Sequence, residues 1–298
     1  MITGIKGIRI RRAAAVAVTS GALLATGALT AAPAQAVTTP SITAKSGFLM
    51  NSATGKTLFT KAENTHRLTA STTKIMAAKV VLSQSNLNLD AKVTIKKAYS
   101  DYIVSKNASS AHLIVGDKVS VRQLLYGMML PSGCDAAMAL ADKYGSGSSV
   151  SARTKSFISK MNTMAKSLGM TNTHFDSFDG YSNGSNYSSA KDLTLLARSA
   201  MKSSTFKSVV KTKSYTATTT TKNNYTRKTT WTNTNTLLGW NGTLGVKTGS
   251  GTEAKYCLVF AATKNGESVM GAVLTAPSAA NRTDDVKKLI NYGYAKIS

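Results

Sequence analysis

The sequence predicts one α+β domain, in which an antiparallel sheet is flanked by helices and accompanied by a mostly helical subdomain. Three observations support this prediction. Residues 47–59 are patterned as a strand pair, residues 119–202 show helical spacing of apolar residues, and residues 214–274 are rich in β-branched residues. Strands at both ends with helices between them are typical of an α+β domain with a helical insertion, which we place at about 95–205.

The first 36 residues have the composition of a secretory signal peptide. Their positive charges are Lys6, Arg9, Arg11 and Arg12. An apolar stretch follows to about Ala32, and Ala34-Gln35-Ala36 supplies a small-residue cleavage pattern. We expect a secreted, cell-wall-associated mature chain of residues 37–298 without a stable membrane anchor. An uncleaved anchor is the alternative, which the Thr and Gly content of the apolar stretch disfavours.

The predicted elements follow from residue spacing. A hairpin spans residues 47–59, with Gly55 at the turn position that needs a positive φ. Apolar spacing predicts a helix from Ser71 to about Ser83. Further helices are predicted at 124–130, 136–144, 157–168 and 193–201. Strands are predicted at 215–221, 229–237, 254–263 and 269–274, before a closing helix at 284–292.

The chain is strongly basic, which favours anionic partners. Its formal charge of +24 falls to +20 without the four cations of the signal. Scattered cations and the predicted export argue against nucleic acid. Anionic cell-wall polymers fit a secreted protein better, although charge that serves only solubility is an equal alternative.

Cysteine and histidine usage predicts neither a disulfide nor a metal site. Cys134 falls in a predicted loop and Cys257 in an apolar run that is predicted to be a buried strand, so we expect two free thiols. His66, His112 and His174 have no metal-ligand spacing. We therefore expect no metal and no cofactor.

Ser71-Thr72-Thr73-Lys74 is a candidate nucleophile and base pair. A three-residue step places Ser71 and Lys74 on one helix face, where a neutral Lys74 amine can accept the Ser71 proton. The S-x-x-K pattern also occurs at Ser188, Ser204 and Ser208, so the pattern alone is weak. A helix cap is the alternative role for Ser71.

Lys247-Thr248-Gly249 is the single K-T-G of the chain and follows an apolar, strand-like segment. We expect Lys247 and Thr248 to hold a substrate carboxylate and Gly249 to allow the substrate backbone to approach closely. A turn is the alternative for such a common tripeptide.

A second serine motif has two candidates. Ser105-Lys106-Asn107 matches S-x-N by letters, whereas Ser132-Gly133-Cys134 lies between two predicted helices and carries a cysteine in place of the asparagine. Ser132 follows Ser71 by 61 positions and Ser105 follows it by 34; the family resemblance given in the next paragraph implies the longer gap. We therefore favour Ser132.

In combination, these motifs resemble those of the D-alanyl-D-alanine carboxypeptidase family, serine peptidase family S11, which comprises low-molecular-weight penicillin-binding proteins. Within this family, the sequence most resembles the secreted actinomycete DD-transpeptidases. The resemblance extends over most of the mature chain and includes Leu130-Pro131-Ser132-Gly133, Asn186-Tyr187-Ser188-Ser189 and Asn233-Thr234-Asn235-Thr236. It implies a fold of the β-lactamase/DD-transpeptidase type.

The resemblance also implies the roles of the residues. Ser71 would attack the carbonyl between the terminal D-alanines of a peptidoglycan stem peptide and form an acyl-enzyme, with Lys74 as the base. Ser132 would relay the proton to the leaving amine. Backbone N–H groups of Ser71 and Ser250 would bind the oxyanion. β-Lactams would acylate Ser71, and we expect a monomer.

Cys134 departs from the family pattern, in which an asparagine binds the substrate amide. A thiol is a weaker hydrogen-bonding group, so we expect transpeptidation to be favoured over hydrolysis. A hydrolytic carboxypeptidase is the main alternative. A class A β-lactamase would need a deacylating glutamate, and none occurs between Glu63 and Glu253. A non-catalytic wall-binding protein is a further alternative. The chain ends about fifty residues after Gly249, so we expect no additional C-terminal domain.

Overall fold

Two antiparallel sheets and the helices around them make up the fold, in a computed structural model that describes residues 37–181 and 184–297. The predicted signal peptide lies outside the described residues. Within the described ranges, no helix has both the length and the apolar character to cross a membrane.

The larger sheet has five strands in the order β2-β1-β9-β8-β7, with every neighbouring pair antiparallel. Its strands are β1 (Ser46–Asn51), β2 (Thr57–Lys61), β7 (Thr243–Gly251), β8 (Lys255–Lys264) and β9 (Glu267–Ala276). Strand β7 therefore lies at one edge of this sheet, and only β8 pairs with it.

The smaller sheet has four strands in the order β3-β4-β5-β6. Its strands are β3 (Lys92–Thr94), β4 (Lys118–Ser120), β5 (Ser214–Thr220) and β6 (Thr226–Thr232). The β5–β6 pair is a long threonine-rich hairpin whose polar side chains face solvent on one side, while Ala217 and Trp231 are buried on the other.

Eight α-helices complete the described part of the chain. They are α1 (Lys74–Leu82), α2 (Lys97–Lys106), α3 (Val121–Met129), α4 (Cys134–Tyr144), α5 (Val150–Ser167), α6 (Ala190–Ala200), α7 (Ser204–Lys211) and α8 (Ala279–Ile297). Serine side chains cap four of them by accepting a hydrogen bond from the backbone N–H three residues later.

The larger sheet separates two hydrophobic cores, because alternate residues of a strand point to opposite faces. Phe48 and Met50 of β1 pack into the core that contains α1 and α6. Leu49, between them, packs with Leu289 and Ile290 of α8. Helices α1 and α6 thus cover one face of the sheet and α8 covers the other, which leaves the β7 edge beside the N-terminus of α1.

Most predicted elements are confirmed. The first hairpin turns at Gly55, whose φ is +79°. The turn between β8 and β9 has positive φ at Asn265 and Gly266, as an Asn-Gly hairpin requires. Helices α3, α5 and α6 begin three to seven residues earlier than predicted, where serine side chains cap their N-termini.

Two expectations about local structure are wrong, and helices α2 and α7 were not predicted. Cys134 is not in a loop but is the first residue of α4, because Gly133 serves as the N-cap. The strand that was expected at 229–237 ends at Thr232. The Asn233 side-chain amide instead donates to the carbonyls of Val210, at the end of α7, and Thr212, which follows that helix. Helix α2 was not expected, since only Tyr99 among its residues is fully buried.

Candidate active site

Ser71 lies in a 3₁₀ turn, Ala70–Thr73, that leads directly into α1. The expectation of a helix start is therefore met, with the serine one turn before the regular helix. Ala70 has a φ of +45°, and the backbone of Gly180 packs against the Ala70 carbonyl so closely that no side chain would fit there. This packing fixes the half-buried Ser71 side chain at the wall of a cleft.

Lys74 is fully buried, and its amine contacts three groups. Nζ lies 2.9 Å from Ser71 Oγ, 3.0 Å from the Asp179 carbonyl oxygen and 3.3 Å from Cys134 Sγ. The predicted pair of Ser71 and Lys74 is thus brought together. A lysine amine in contact with a serine hydroxyl is an arrangement suited to an activated nucleophile.

Asp179, which the sequence did not indicate, holds the Lys74 amine through its backbone. Its carboxylate accepts hydrogen bonds from the Tyr102 hydroxyl and the Tyr181 backbone N–H, each at 2.9 Å. Burial and the charge of Asp179 raise the pKa of Tyr102, so this hydroxyl remains a donor. By holding the Asp179 side chain, Tyr102 of α2 also fixes the Asp179 carbonyl that accepts from Lys74.

Ser132 lies in the connection between α3 and α4 and has a φ of +68°. Ser109 supports this conformation, because its Oγ donates to the Ser132 carbonyl at 2.6 Å. The Ser132 Oγ atom is buried and has no hydrogen-bond partner among the described residues, although the residue lines the cleft. Its hydroxyl is therefore available to a ligand. Ser105, the rejected candidate, lies on the exposed end of α2.

Cys134 faces Lys74 from the first turn of α4. Burial raises the pKa of its thiol, although the charge of Lys74 opposes this shift. Sγ also lies 3.5 Å from Ser109 Oγ. Both cysteines of the chain are buried free thiols, as expected.

Strand β7 brings the K-T-G motif to the opposite wall of the cleft. Thr248 lines the cleft, and its Oγ1 lies 2.6 Å from Thr234 Oγ1. Ser250 is exposed one step further along the strand. At Gly249 a Cβ atom would lie 2.7 Å from the Thr69 carbonyl oxygen, so glycine is needed here for β7 to pack against the Ser71 turn.

Lys247 is located behind the cleft wall and is only 1% exposed. Its Nζ donates to the Thr248 carbonyl at 3.2 Å. Burial, together with the positive charge of Lys74, places the pKa of Lys247 well below its ordinary value. Thr248 is thus the member of this pair that faces the cleft directly.

The cleft has a volume of about 850 Å³. Its lining includes Ser71, Ser109, Ser132, Cys134, Asp179, Thr234, Thr248, Gly249 and Ser250, but not Lys74, Tyr102 or Lys247. Two cations, Lys106 and the largely buried Arg282, also line it. The Arg282 Nε is buried and has no hydrogen-bond partner among the described residues, while its guanidinium lies 6.0 Å from the Tyr256 ring. Sequence reasoning missed Arg282, whose only signal is a cation near the start of the last helix. Within residues 37–181 and 184–297, no cluster of side chains fits a metal ion.

Comparisons with known proteins show that the chain is similar to peptidases. The sequence model of the D-alanyl-D-alanine carboxypeptidase family, peptidase S11, matches residues 33–278. The D-alanyl-D-alanine carboxypeptidase of Streptomyces sp. strain K15 is 66% identical over 290 residues, which cover 97% of this chain and 100% of the relative. The carboxypeptidase DacF of Bacillus subtilis is 32% identical over 85% of this chain, and the match spans 62% of the relative's length.

Solved structures give the same grouping. The crystal structure of the Streptomyces K15 DD-transpeptidase superposes with a TM-score of 0.86 at 67% identity, covering 87% of this chain and 100% of that one. The carboxypeptidase DacD of Francisella tularensis superposes with a TM-score of 0.75 at 29% identity, covering 90% of this chain and 75% of that one. The expected α+β fold of the DD-transpeptidase type is confirmed.

Proposed function

The chain belongs to the D-alanyl-D-alanine carboxypeptidase family, peptidase S11, and is a serine-type D-Ala-D-Ala carboxypeptidase/transpeptidase; on that premise we propose that it acts on peptidoglycan stem peptides through an acyl-enzyme on Ser71, with transfer favoured over hydrolysis. The observation that supports the acyl-enzyme is the 2.9 Å contact between Lys74 Nζ and Ser71 Oγ at the cleft wall.

In the first step, the Lys74 amine takes the proton of Ser71 while Oγ attacks the carbonyl between the two D-alanines. The bond to the terminal D-Ala nitrogen breaks, and that nitrogen needs a proton to leave. Ser132 is suited to deliver it, because its buried Oγ lines the same cleft and is not engaged with any described residue. Lys74 then returns its proton through this hydroxyl.

The negative charge that develops on the carbonyl oxygen needs preorganised donors. The backbone N–H groups of Ser71 and Ser250 are the candidates. Their support is the close packing of β7 on the Ser71 turn, which the absence of a Cβ at Gly249 permits. Without that contact the two N–H groups would lie on separate elements with no fixed distance between them.

The terminal carboxylate of the substrate needs donors at the other end of the cleft. Thr248 and Thr234 supply hydroxyls, and Arg282 supplies a guanidinium with a free buried Nε. A guanidinium suits a carboxylate through paired N–H donors. Lys247 acts from behind the wall, through its hydrogen bond to the Thr248 carbonyl.

The preference for transfer rests on Cys134. Its raised pKa keeps the thiol protonated at neutral pH, so it offers Lys74 only a weak acceptor and offers the substrate no amide. Hydrolysis requires these groups to position and activate a small water molecule that the cleft holds loosely. An amine acceptor that the cleft binds depends less on them. A carboxypeptidase with dominant hydrolysis is the second candidate, because the same acyl-enzyme serves both reactions.

The surroundings of the enzyme are part of the proposal. Residues 1–36 would serve as a signal peptide, and residues 37–298 would form the exported penicillin-binding domain, with the helical subdomain at about 95–205. The charge of +24, or +20 after loss of the four signal cations, suits contact with anionic cell-wall polymers. We expect a monomer that does not bind nucleic acid.

Intact-mass measurement after incubation with penicillin tests the acyl-enzyme. The wild type should gain the mass of one penicillin, and Ser71→Ala should gain none. Ser208→Ala is the matched control, because Ser208 also starts an S-x-x-K pattern but is exposed on α7 and away from the cleft. An adduct that persists in Ser71→Ala would refute the assignment of the nucleophile.

Release of D-Ala from a D-Ala-D-Ala peptide, with and without an amine acceptor, tests the preference for transfer. We expect cross-linked product to exceed hydrolysed product when the acceptor is present. Equal release of D-Ala in both conditions without any cross-linked product would favour the hydrolytic carboxypeptidase.

A further inference from the structure

Glu253 is an exposed carboxylate on the wall of the cleft, in the turn that joins β7 to β8. The other acidic residue that lines the cleft is Asp179, which is buried and whose carboxylate oxygens accept from Tyr102 and Tyr181. Among the described residues that line the cleft, Glu253 is therefore the one acidic side chain that a ligand can contact freely.

The Glu253 carboxylate is also without a partner inside the described chain. No ion pair and no side-chain hydrogen bond joins it to residues 37–181 or 184–297. Ion pairs between described residues engage only four carboxylates, those of Asp90, Asp101, Asp117 and Asp142, although the sequence has 37 Lys and Arg residues against 13 Asp and Glu residues. An unpaired carboxylate beside a cleft is a natural site for a cationic ligand.

We infer that Glu253 is the binding site for the ammonium group of the acceptor peptide in the transfer reaction, an inference that rests on the transfer function proposed above. An acceptor amine is a cation in neutral water, and the strongly positive protein repels cations. A carboxylate at the cleft wall offsets that repulsion where the acceptor enters. Water carries no charge and gains nothing from it, so the carboxylate favours transfer over hydrolysis.

The position of Glu253 fits an acceptor subsite next to the reacting carbonyl. It follows Ser250 by three residues, which limits their Cα separation to about 11 Å even for extended backbone. Ser250 in turn lies next to Gly249, which packs against the turn that contains Ser71. Glu253 can therefore hold the ammonium where the acceptor enters the cleft, and the acceptor moves to the acyl carbon after the ammonium has lost a proton.

The chemical step is balanced without any further reactant. The bound ammonium first releases one proton to solvent and becomes an amine. Its nitrogen then forms a bond to the acyl carbon, the bond between that carbon and Ser71 Oγ breaks, and the second amine proton passes through Lys74 to Ser71 Oγ. The products are a new amide and the free serine hydroxyl, so Glu253 binds and orients the acceptor and takes no covalent part.

The test compares Glu253→Gln with the wild type in acyl transfer from a D-Ala-D-Ala donor peptide to two acceptors. Glycinamide is cationic at neutral pH and methanol is neutral. Transferred and hydrolysed products are quantified by mass spectrometry. Glu63→Gln is the matched control, because it removes the same charge from a half-exposed glutamate that does not line the cleft. Glu253→Asp retains the charge.

We expect the transfer-to-hydrolysis ratio with glycinamide to fall about two- to five-fold in Glu253→Gln, the size of an exposed ion pair. The ratio with methanol should not change, and Glu63→Gln and Glu253→Asp should behave like the wild type. An unchanged glycinamide ratio, or an equal fall with both acceptors, would overturn the inference. If the wild type itself transfers to neither acceptor while penicillin still acylates Ser71, the proposed preference for transfer fails and the inference fails with it.

Discussion

Lys74 Nζ and Cys134 Sγ lie 3.3 Å apart, on a contact that joins the first residue of α1 to the first residue of α4. The thiol stays protonated because burial raises its pKa. The amine therefore has a neutral, weakly polar neighbour at the position where the family pattern has an amide. Four predictions follow from this arrangement and from the residues that support it.

Replacing Cys134 by the asparagine of the family pattern should shift the enzyme towards hydrolysis. An amide oxygen accepts from Lys74 better than a thiol does, and an amide N–H adds a donor for the substrate. One neutral hydrogen bond contributes about 1 kcal/mol, so we expect the transfer-to-hydrolysis ratio to fall about five-fold. Product analysis with an amine acceptor measures it. Cys257→Ala is the control, since Cys257 is buried in β8 and its thiol contacts the Leu68 and Ala254 carbonyls instead of Lys74. A ratio unchanged in Cys134→Asn would contradict the role of the thiol.

Ser132→Ala should separate activity from stability. Loss of a proton relay lowers the rate of penicillin acylation by about 100-fold or more. The free energy of unfolding should stay constant or rise slightly, because the variant removes a buried hydroxyl with no partner among the described residues. Urea unfolding and stopped-flow acylation give the two values. Ser109→Ala should instead lose about 1 kcal/mol of stability, because it removes the donor to the Ser132 carbonyl. A destabilised Ser132→Ala would mean that its hydroxyl has a structural partner.

Tyr102→Phe should slow acylation through Asp179, although Tyr102 does not line the cleft. The variant removes one of the two donors to the Asp179 carboxylate, which frees the carbonyl that accepts from Lys74. Misplacement of a base lowers rates by about 10- to 100-fold.

The same helix provides the control for this prediction. Tyr99 donates to the buried Asp142 at 2.6 Å, away from the cleft, and Asp142 also accepts from Lys96 and Arg153. Each Tyr→Phe change removes a hydrogen bond to a carboxylate and should cost about 2 kcal/mol in urea unfolding. Only Tyr102→Phe should slow penicillin acylation. Equal rates in the two variants would show that the Asp179 carbonyl does not need this anchor.

Lys247→Met should increase stability at neutral pH while it lowers activity. Burial depresses the pKa of Lys247 in the folded protein below its ordinary value near 10.5. Between the two pKa values the unfolded chain binds the proton and the folded chain does not, so the contribution of Lys247 to the free energy of unfolding rises with pH in that window. Methionine has a similar volume and carries no such penalty.

The measurement is urea unfolding of wild type and Lys247→Met at pH 7 and pH 9.5. The stability advantage of the variant should shrink as the pH rises, by at most about 1.4 kcal/mol per pH unit. Taking the difference between the two proteins cancels the titration of the tyrosines and cysteines that they share. A difference that stays constant with pH would show that Lys247 is charged in the folded protein.

The sequence was sufficient for the features that depend on local spacing. The motifs around Ser71, Ser132 and Lys247 were found because their residues are neighbours in the chain, and the structure brings them to one cleft. The β1–β2 and β8–β9 hairpins were predicted from their turn residues, which have positive φ in the structure. Their physical causes act within a few residues of each other.

The features that the sequence did not reveal depend on distant contacts. Asp179 binds Lys74 across 105 positions and Tyr102 across 77. Helix α2 was missed because it buries little apolar surface, so its 3.6-residue period is weak. The placement of Cys134 in a loop was wrong because helix α4 begins without a side-chain cap at Gly133, and a capping residue is the usual signal for a helix start.

The packing of Gly249 against the Thr69 carbonyl has a consequence for how this enzyme is handled. The two residues are 180 positions apart, one in the strand at a sheet edge and one just before the nucleophile turn. A chain that has formed its helices but has not yet docked β7 therefore presents a serine and a lysine without the second wall. Labelling by a fluorescent penicillin counts only molecules that have completed this docking. It can serve as a direct titration of native protein during refolding, storage or screening of variants.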